Sequence, residues 1–278
     1  GPGLAGRNLI ARQSDVAILV EGFSEDVSIF NNYIGTDVLG ASPWANGTGI
    51  RVTPSGEGDP SLQIVDNVIG GSGGAAVEIL NPGNTQSYGN RIGVSPTGVP
   101  VANGAGLRLT GTPAFVSGNT IAHNDGAAID IVGTANVQIT GNSIYENDFG
   151  IEYETQPFAA PQQMLVMRTK VDDEGKIGLF YAVLPTDQPG EVTIEVFGNR
   201  SCASPQGRVL LGSHVVAGDE PVIKFLAADA MSAFGQLEGF TATATSGEST
   251  SRFSACADVQ PFIDSDDDGS FDLFELLA

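Results

Sequence analysis

Residues 119–148 read NTIAHNDGAAIDIVGTANVQITGNSIYEND. The phrase that opens this stretch, Asn119-Thr120-Ile121, returns 23 residues later as Asn142-Ser143-Ile144. Between the two copies lie Ala128-Ile129-Asp130-Ile131 and Val137-Gln138-Ile139. In both, apolar residues at alternate positions can share a buried face while the middle residue points outward. Gly and Asn punctuate the short strands, which marks tight turns rather than long loops.

Working outward, the Asn-x-Ile-like triplet occurs six times: Asn8-Leu9-Ile10, Asn32-Tyr33-Ile34, Asn67-Val68-Ile69, Asn90-Arg91-Ile92, Asn119-Thr120-Ile121 and Asn142-Ser143-Ile144. The intervals are 24, 35, 23, 29 and 23 residues. A small-apolar-x-apolar pattern keeps step at Gly49-Ile50-Arg51-Val52, Ala76-Val77-Glu78-Ile79, Gly106-Leu107-Arg108-Leu109, Ala128-Ile129-Asp130-Ile131 and Gly150-Ile151-Glu152-Tyr153. A third pattern precedes the triplets at Val27-Ser28-Ile29, Leu62-Gln63-Ile64 and Val137-Gln138-Ile139. A period in the low twenties with three short strands predicts one coil of a parallel β-solenoid. Asn is expected at its corners, tolerating left-handed backbone and stacking into a ladder. The two long intervals predict coils with insertions, and the insertions from Gly35 and Gly93 resemble each other.

Composition divides the chain. Residues 1–160 hold 26 of the 37 Gly and 14 of the 15 Asn, but none of the Lys. Residues 1–160 are therefore assigned to the solenoid, 161–260 to a second domain and 261–278 to an acidic tail. The boundary falls near Gln156–Gln162, punctuated by Pro157 and Pro161. The second domain reads as all-β, with strands expected at Ile177–Leu184, Glu191–Phe197, Val209–Val216, Pro221–Leu226, Phe240–Thr245 and Arg252–Ala255. Their spacing suggests an immunoglobulin-like β-sandwich able to cover the end of the solenoid. Acidity is spread over both halves and totals −21. That charge excludes a phosphate-binding surface, so neither nucleic acid nor anionic membrane is an expected partner. No apolar run is long enough to cross a bilayer. The first repeat begins almost at the start of the sequence, so further coils, and a longer chain, are expected.

The phrases NYIGTDVLGASPWANGTGIRV, NRIGVSPTGVPVANGAGLRL and the stretch 119–148 resemble the right-handed parallel β-helix repeats of large secreted bacterial proteins. That group is similar in fold to pectate lyases. Its members cleave polysaccharides, bind glycans or act as spacers, so the resemblance implies a secreted or cell-surface location without choosing an activity. The pattern VTIEVFGNRSCASPQGRVLLGS…GFTATATSGESTSRFSACADV resembles the module that follows such repeats. Cys202 and Cys256 stand at that module's two Cys positions. The resemblance therefore implies one disulfide, with two buried thiols as the alternative.

Stacked in register, the outward residues of the second pattern form a column: Arg51, Glu78, Arg108, Asp130 and Glu152. One reading is a solvated charge ladder, each pair worth less than about 1 kcal/mol. The other singles out Asp130 and Glu152, one coil apart. Two such carboxylates would suit a retaining glycosidase or a shared cation, with Arg108 the one base beside them. His123 reads as a solvated turn residue. Trp44 either stacks on a sugar or packs its insertion onto the solenoid, and Tyr33, Phe115 and Tyr145 are further candidate aromatics.

The tail Asp264-Ser265-Asp266-Asp267-Asp268-Gly269-Ser270-Phe271-Asp272-Leu273-Phe274-Glu275 fits a twelve-residue calcium loop. Asp264, Asp266, Asp268, Ser270, Asp272 and Glu275 would supply the ligands, and Gly269 the sharp turn. It resembles the thrombospondin-type-3/EF-hand-like repeats that rigidify bacterial surface proteins. The sequence thus leads to an all-β protein: a right-handed parallel β-helix, an immunoglobulin-like sandwich and a calcium-binding loop. Its expected role is an extracellular scaffold or adhesin with a polysaccharide or surface glycan as possible partner. The alternative is a polysaccharide lyase or glycoside hydrolase.

Overall fold

The structure, a computed structural model, describes residues 6–22, 26–53, 61–80, 84–111, 113–133, 136–155, 157, 160, 164–170, 177–183, 190–217, 222–226, 237 and 239–260. The proposed calcium ligands Asp264, Asp266, Asp268, Ser270, Asp272 and Glu275 lie outside the described residues. Every element among those described is a strand, and none is a helix long and apolar enough to cross a membrane.

The first half winds through six coils. Each Asn triplet leads into a strand of two or three residues, and these stack as a parallel six-stranded sheet from Leu9–Ile10 to Ser143–Tyr145. A second six-stranded sheet runs from Val16–Glu21 to Phe149–Tyr153. A third, five-stranded sheet runs from Val27–Phe30 to Val137–Thr140. The register is that of the sequence repeat: Ile92 pairs with Ile69 and Ile121, and Leu107 with Val77 and Ile129. Period-two alternation sends these residues inward, where Ile34, Ile69, Ile92 and Ile121 form a fully buried stack. Each such side chain contributes about 1.5–3 kcal/mol of burial.

The Asn residues form a ladder along one corner. The backbone N–H and the Nδ2 of Asn67 both donate to Oδ1 of Asn90, each at 3.0 Å. Asn90 repeats this onto Asn119, and Asn119 onto Asn142. The expected left-handed backbone sits one residue earlier, at Asn31, Asp66, Gly89, Gly118 and Gly141, with φ between 53° and 68°. This frees the Asn itself for extended backbone and a side chain turned along the axis. A second ladder, which the triplet pattern does not predict, runs along another corner. Asn103 donates to Asn124, and Asn124 to Asn147.

The two insertions fold alike. Gly35 and Gly93 both take positive φ, 73° and 78°. The carbonyl of Gly35 accepts from Trp44 N, and that of Gly93 from Val101 N. Asp37 Oδ1 caps its turn by accepting from Ala41 N at 2.8 Å and Leu39 N at 3.1 Å. The Ala41 bond above all holds that carboxyl below its usual range.

The second half forms an eight-stranded sheet: 209–217, 191–199, 239–246, 257–260, 164–170, 177–183 and 222–226 in order, with Ser249–Thr250 paired on Gly239–Ser246. Strands Val166–Met167 and Val259–Gln260 run parallel, and the remaining pairings are antiparallel. One expected strand, Arg252–Ala255, is instead an irregular segment. It lies along Gly239–Ser246, but Ser251 Oγ and Ser254 Oγ accept the N–H groups of Ala244 and Ala242 where backbone carbonyls would in a regular ladder. Met164–Lys170 is a strand beyond those expected from the sequence.

Candidate functional site

The last coil meets the second half through a set of bonds that continue the solenoid's own pattern. Asn147 N and Nδ2 both donate to Gln206 Oε1 at 3.0 Å, as they would to the Asn of a next coil. Gln206 Nε2 returns a bond to Asn147 O. On the first sheet, Ile144 exchanges two backbone bonds with Gly207, at 2.7 and 2.9 Å. On the third, Ile139 N donates to Thr250 Oγ1 at 2.9 Å. At the other corner Gly141 N donates to both carboxylate oxygens of Glu195, which is buried. Burial pushes the Glu195 carboxyl up, against the lowering effect of that bond. Burial also pushes the Tyr153 hydroxyl up, opposed by the charge of Arg252.

Phe197 and Phe253 close the apolar interior. Their rings meet edge to face at 5.6 Å and join the solenoid core. Gly207 is needed there, because a Cβ would lie 2.7 Å from a ring atom of each.

The outward charged column exists as expected. Register pairs Arg51 with Glu78, Glu78 with Arg108, Arg108 with Asp130, and Asp130 with Glu152. Arg51 Nε lies 2.7 Å from Glu78 Oε2, and Arg108 Nε 3.4 Å from Asp130 Oδ2. Arg108 is not the one base beside the acidic pair, however. Arg252 reaches in from the second half, with Nη2 3.2 Å from Glu152 Oε2, and also donates to Tyr153 O. Asp130 and Glu152 therefore share a face, and each has its own guanidinium.

A cleft of about 270 Å³ opens where the last coil meets the loop that follows residue 199, with Tyr145, Glu146 and Asp148 on one wall and Asn199, Arg200 and Arg208 on the other. Arg208 Nη1 lies 2.7 Å from Glu146 Oε1, and its guanidinium covers the Tyr145 ring at 4.1 Å. The other Glu146 oxygen takes His123 Nδ1 at 3.1 Å. His123 is thus no solvated turn residue. Its backbone is left-handed (φ 60°), its ring meets Tyr145 edge-on at 5.5 Å, and Glu146 orients its imidazole.

The candidate sugar-stacking faces are mostly covered. Arg12 lies 4.5 Å over Trp44, whose carbonyl accepts from Arg12 N, so Trp44 fastens its insertion to the first coil. Tyr33 is buried under Arg7. Phe115 alone among the four stands open, at 39% exposure.

Cys202 and Cys256 form a disulfide with Cα atoms 5.4 Å apart. Among the described residues no cluster of three His, Cys, Asp or Glu side chains could hold a metal ion.

Sequence reasoning missed Arg252, Arg208, Gln206 and Glu195, which meet the last coil only through the fold. The second ladder did leave a signal: Asn103-Gly104, Asn124-Asp125-Gly126 and Asn147-Asp148 recur 21 and 23 residues apart, with Asn46-Gly47 two coils earlier.

A search of curated proteins finds no match to the chain. The family described as "Right handed beta helix region" matches residues 16–166, more than half of the sequence, from strand Val16–Glu21 of the first coil to beyond strand Phe149–Tyr153 of the last. With its parallel sheets in repeat register, the chain belongs to the right-handed β-helix family.

Proposed function

We propose that this protein is an extracellular scaffold or adhesin: a rigid β-helix that displays its faces to glycans and is not itself a catalyst. The observation that carries this reading is the pairing of the charged column. Every acid in it, including the suspected Asp130 and Glu152, has an arginine partner. A retaining glycosidase would need one of the two carboxyls protonated and one free to attack. The closed junction supports the same reading, because the ladder continues into the second half and the apolar interior ends in aromatic side chains.

On this reading residues 161–260 are an immunoglobulin-like sandwich that serves as the cap. The disulfide accords with an oxidising compartment, hence a secreted or cell-surface protein. Asp264, Asp266, Asp268, Ser270, Asp272 and Glu275 form an all-oxygen donor set that suits calcium and not a softer metal. The crowded carboxylates would be neutralised by the ion, stiffening the tail.

The alternative, a polysaccharide lyase or glycoside hydrolase acting through Asp130, Glu152 and Arg108, rests on the register that puts the two carboxylates on adjacent strands. Incubation with neutral and acidic polysaccharides, with and without calcium, separates the two. We expect no new reducing ends and no unsaturated products. Turnover that is lost in Asp130→Asn or Glu152→Gln would establish the enzyme instead. Calorimetry with millimolar calcium should give binding heat that Asp264→Ala and Glu275→Ala remove.

A further inference from the structure

The outward face of the third sheet carries a column of different chemistry. Register stacks Ser28, Gln63, Gln86, Phe115 and Gln138 on successive coils. None is charged, in a protein of net charge −21, whereas all five candidates of the second-sheet column are. Gln63 and Gln86 are half-buried, each leaving part of its side chain to solvent. Phe115 is exposed between Gln86 and Gln138.

Beside it lies a hollow of about 260 Å³ lined by Asn84, Pro113, Phe115, Asn136, Gln138 and Glu248. The turn after Ser246 closes one end. Gln138 Nε2 donates to Gly247 O at 2.7 Å, and Asn136 Nδ2 to Glu248 Oε2 at 3.0 Å. In the other direction the column continues over Gln86 and Gln63.

We propose that this column binds a neutral oligosaccharide along the solenoid axis, with a terminal sugar seated in the hollow against Phe115 and the next sugars over Gln86 and Gln63. A primary amide donates and accepts at once, as a pair of neighbouring sugar hydroxyls does. The open face of Phe115 packs on the C–H face of a pyranose. Strand spacing sets Gln63 and Gln86 ~4.8 Å apart, close to the rise of one sugar in an extended chain. Neutrality follows from the column itself. It offers no cation to a uronate or sulfate, and the acidic protein repels polyanions. An extended peptide seeks an unpaired strand edge, and this surface is the flat of a sheet whose strands are already paired.

The site gives a place and a ligand class to the glycan binding in the scaffold reading, and rests on it. The test is calorimetry on the full chain with neutral disaccharides through hexasaccharides, an oligouronate and an unrelated extended peptide. Phe115→Ala, exposed and so not expected to disturb folding, should weaken neutral oligosaccharides about tenfold, or about 1.4 kcal/mol. Gln86→Ala should weaken the longer ligands while sparing the disaccharide. Trp44→Ala should leave both unchanged, and melting curves establish that each variant is folded. If neutral glycans bind but Phe115→Ala and Gln86→Ala bind them as well as the parent, the site is wrong while the scaffold reading stands. If the intact chain binds none at millimolar concentration, both fall. Preference for the oligouronate or the peptide at Phe115 would overturn the ligand class.

Discussion

At the second corner, the residue before the ladder position carries positive φ on the coils without an insertion: Gly71 before Ser72, His123 before Asn124, Glu146 before Asn147; on the two insertion coils the positive φ falls earlier, at Gly35 and Gly93. Gly adopts this backbone freely, whereas His123 and Glu146 take it at a steric cost. The ladder residue that follows then donates twice along the axis, and Asn is the one side chain short enough to bridge one rung while presenting both Oδ1 and Nδ2. Ser72 breaks the second ladder. Its backbone N donates to Asn103 Oδ1 at 3.0 Å, but its buried Oγ has no partner. Asn46, on the preceding coil, is left with one Nδ2 contact of 3.5 Å to Ile10 O. Ser72→Asn should supply the missing rung. A buried bond of this kind is worth about 1 kcal/mol, which predicts a rise in Tm of about 2–4 °C. A thermal melt checks it, and an unchanged or lower Tm would mean that the side chain does not fit beneath Gly49.

Strand Glu191–Asn199 shows how one element serves two neighbours. Val192, Ile194 and Val196 alternate onto an apolar face with Ala242 and Ala244 across from them. Thr193, Glu195 and Phe197 face the other way, opposite Thr245, Thr243 and Thr241, and from that face Glu195 and Phe197 meet the solenoid end. This face makes the junction sensitive to pH through Glu195. Because burial raises its carboxyl above the ordinary 4.5, the folded protein holds the proton more tightly than the unfolded chain does. The stabilisation is present in full below the unfolded value and is lost as pH rises through the raised folded value. Glu195→Gln keeps an oxygen for Gly141 N without the buried charge. The variant should therefore melt above the parent at neutral pH, the gap closing as pH falls toward the ordinary carboxyl range. A gap independent of pH in parallel melts would remove Glu195 as its source.

The same alternation explains what was legible in the sequence. Strands whose inward residues are Ile, Val or Leu stand out, as in Ala127–Val132. Thr85–Tyr88 does not, because its inward residues Thr85 and Ser87 are polar, although both are fully buried. Ser87 Oγ accepts from Asn90 Nδ2, so a polar residue fills a core position that no hydrophobic pattern can reveal. The charged column was legible from Arg51 to Glu152, since coil spacing alone sets it. Arg252 was not, because it joins the column from the second half of the chain, outside the repeat.

Over the whole molecule the solenoid is quasi-one-dimensional, each coil resting on its neighbours, so opening at the junction with the second half spreads coil by coil. The cap controls that step at one end, and the disulfide controls the cap. Cys202 ties the loop carrying Gln206, Gly207 and Arg208 to Cys256 at the start of strand Ala257–Gln260. That loop supplies the bonds to Asn147, Ile144 and Ser143. Closing a loop across a separation of 54 residues restricts the unfolded chain by about 4 kcal/mol in the chain-entropy model. Reduction should therefore loosen the junction before the coils. In hydrogen exchange, the amides of Ile144 and Asn147, which donate to Gly207 and Gln206, should lose protection on reduction. Those of Asn67 and Asn90, inside the first ladder, should keep theirs. Equal loss along all four would instead mean that cap and coils open as one cooperative unit. No loss at Ile144 and Asn147 would mean that Gln206, Thr250 and the two Phe rings hold the end closed without the covalent tie.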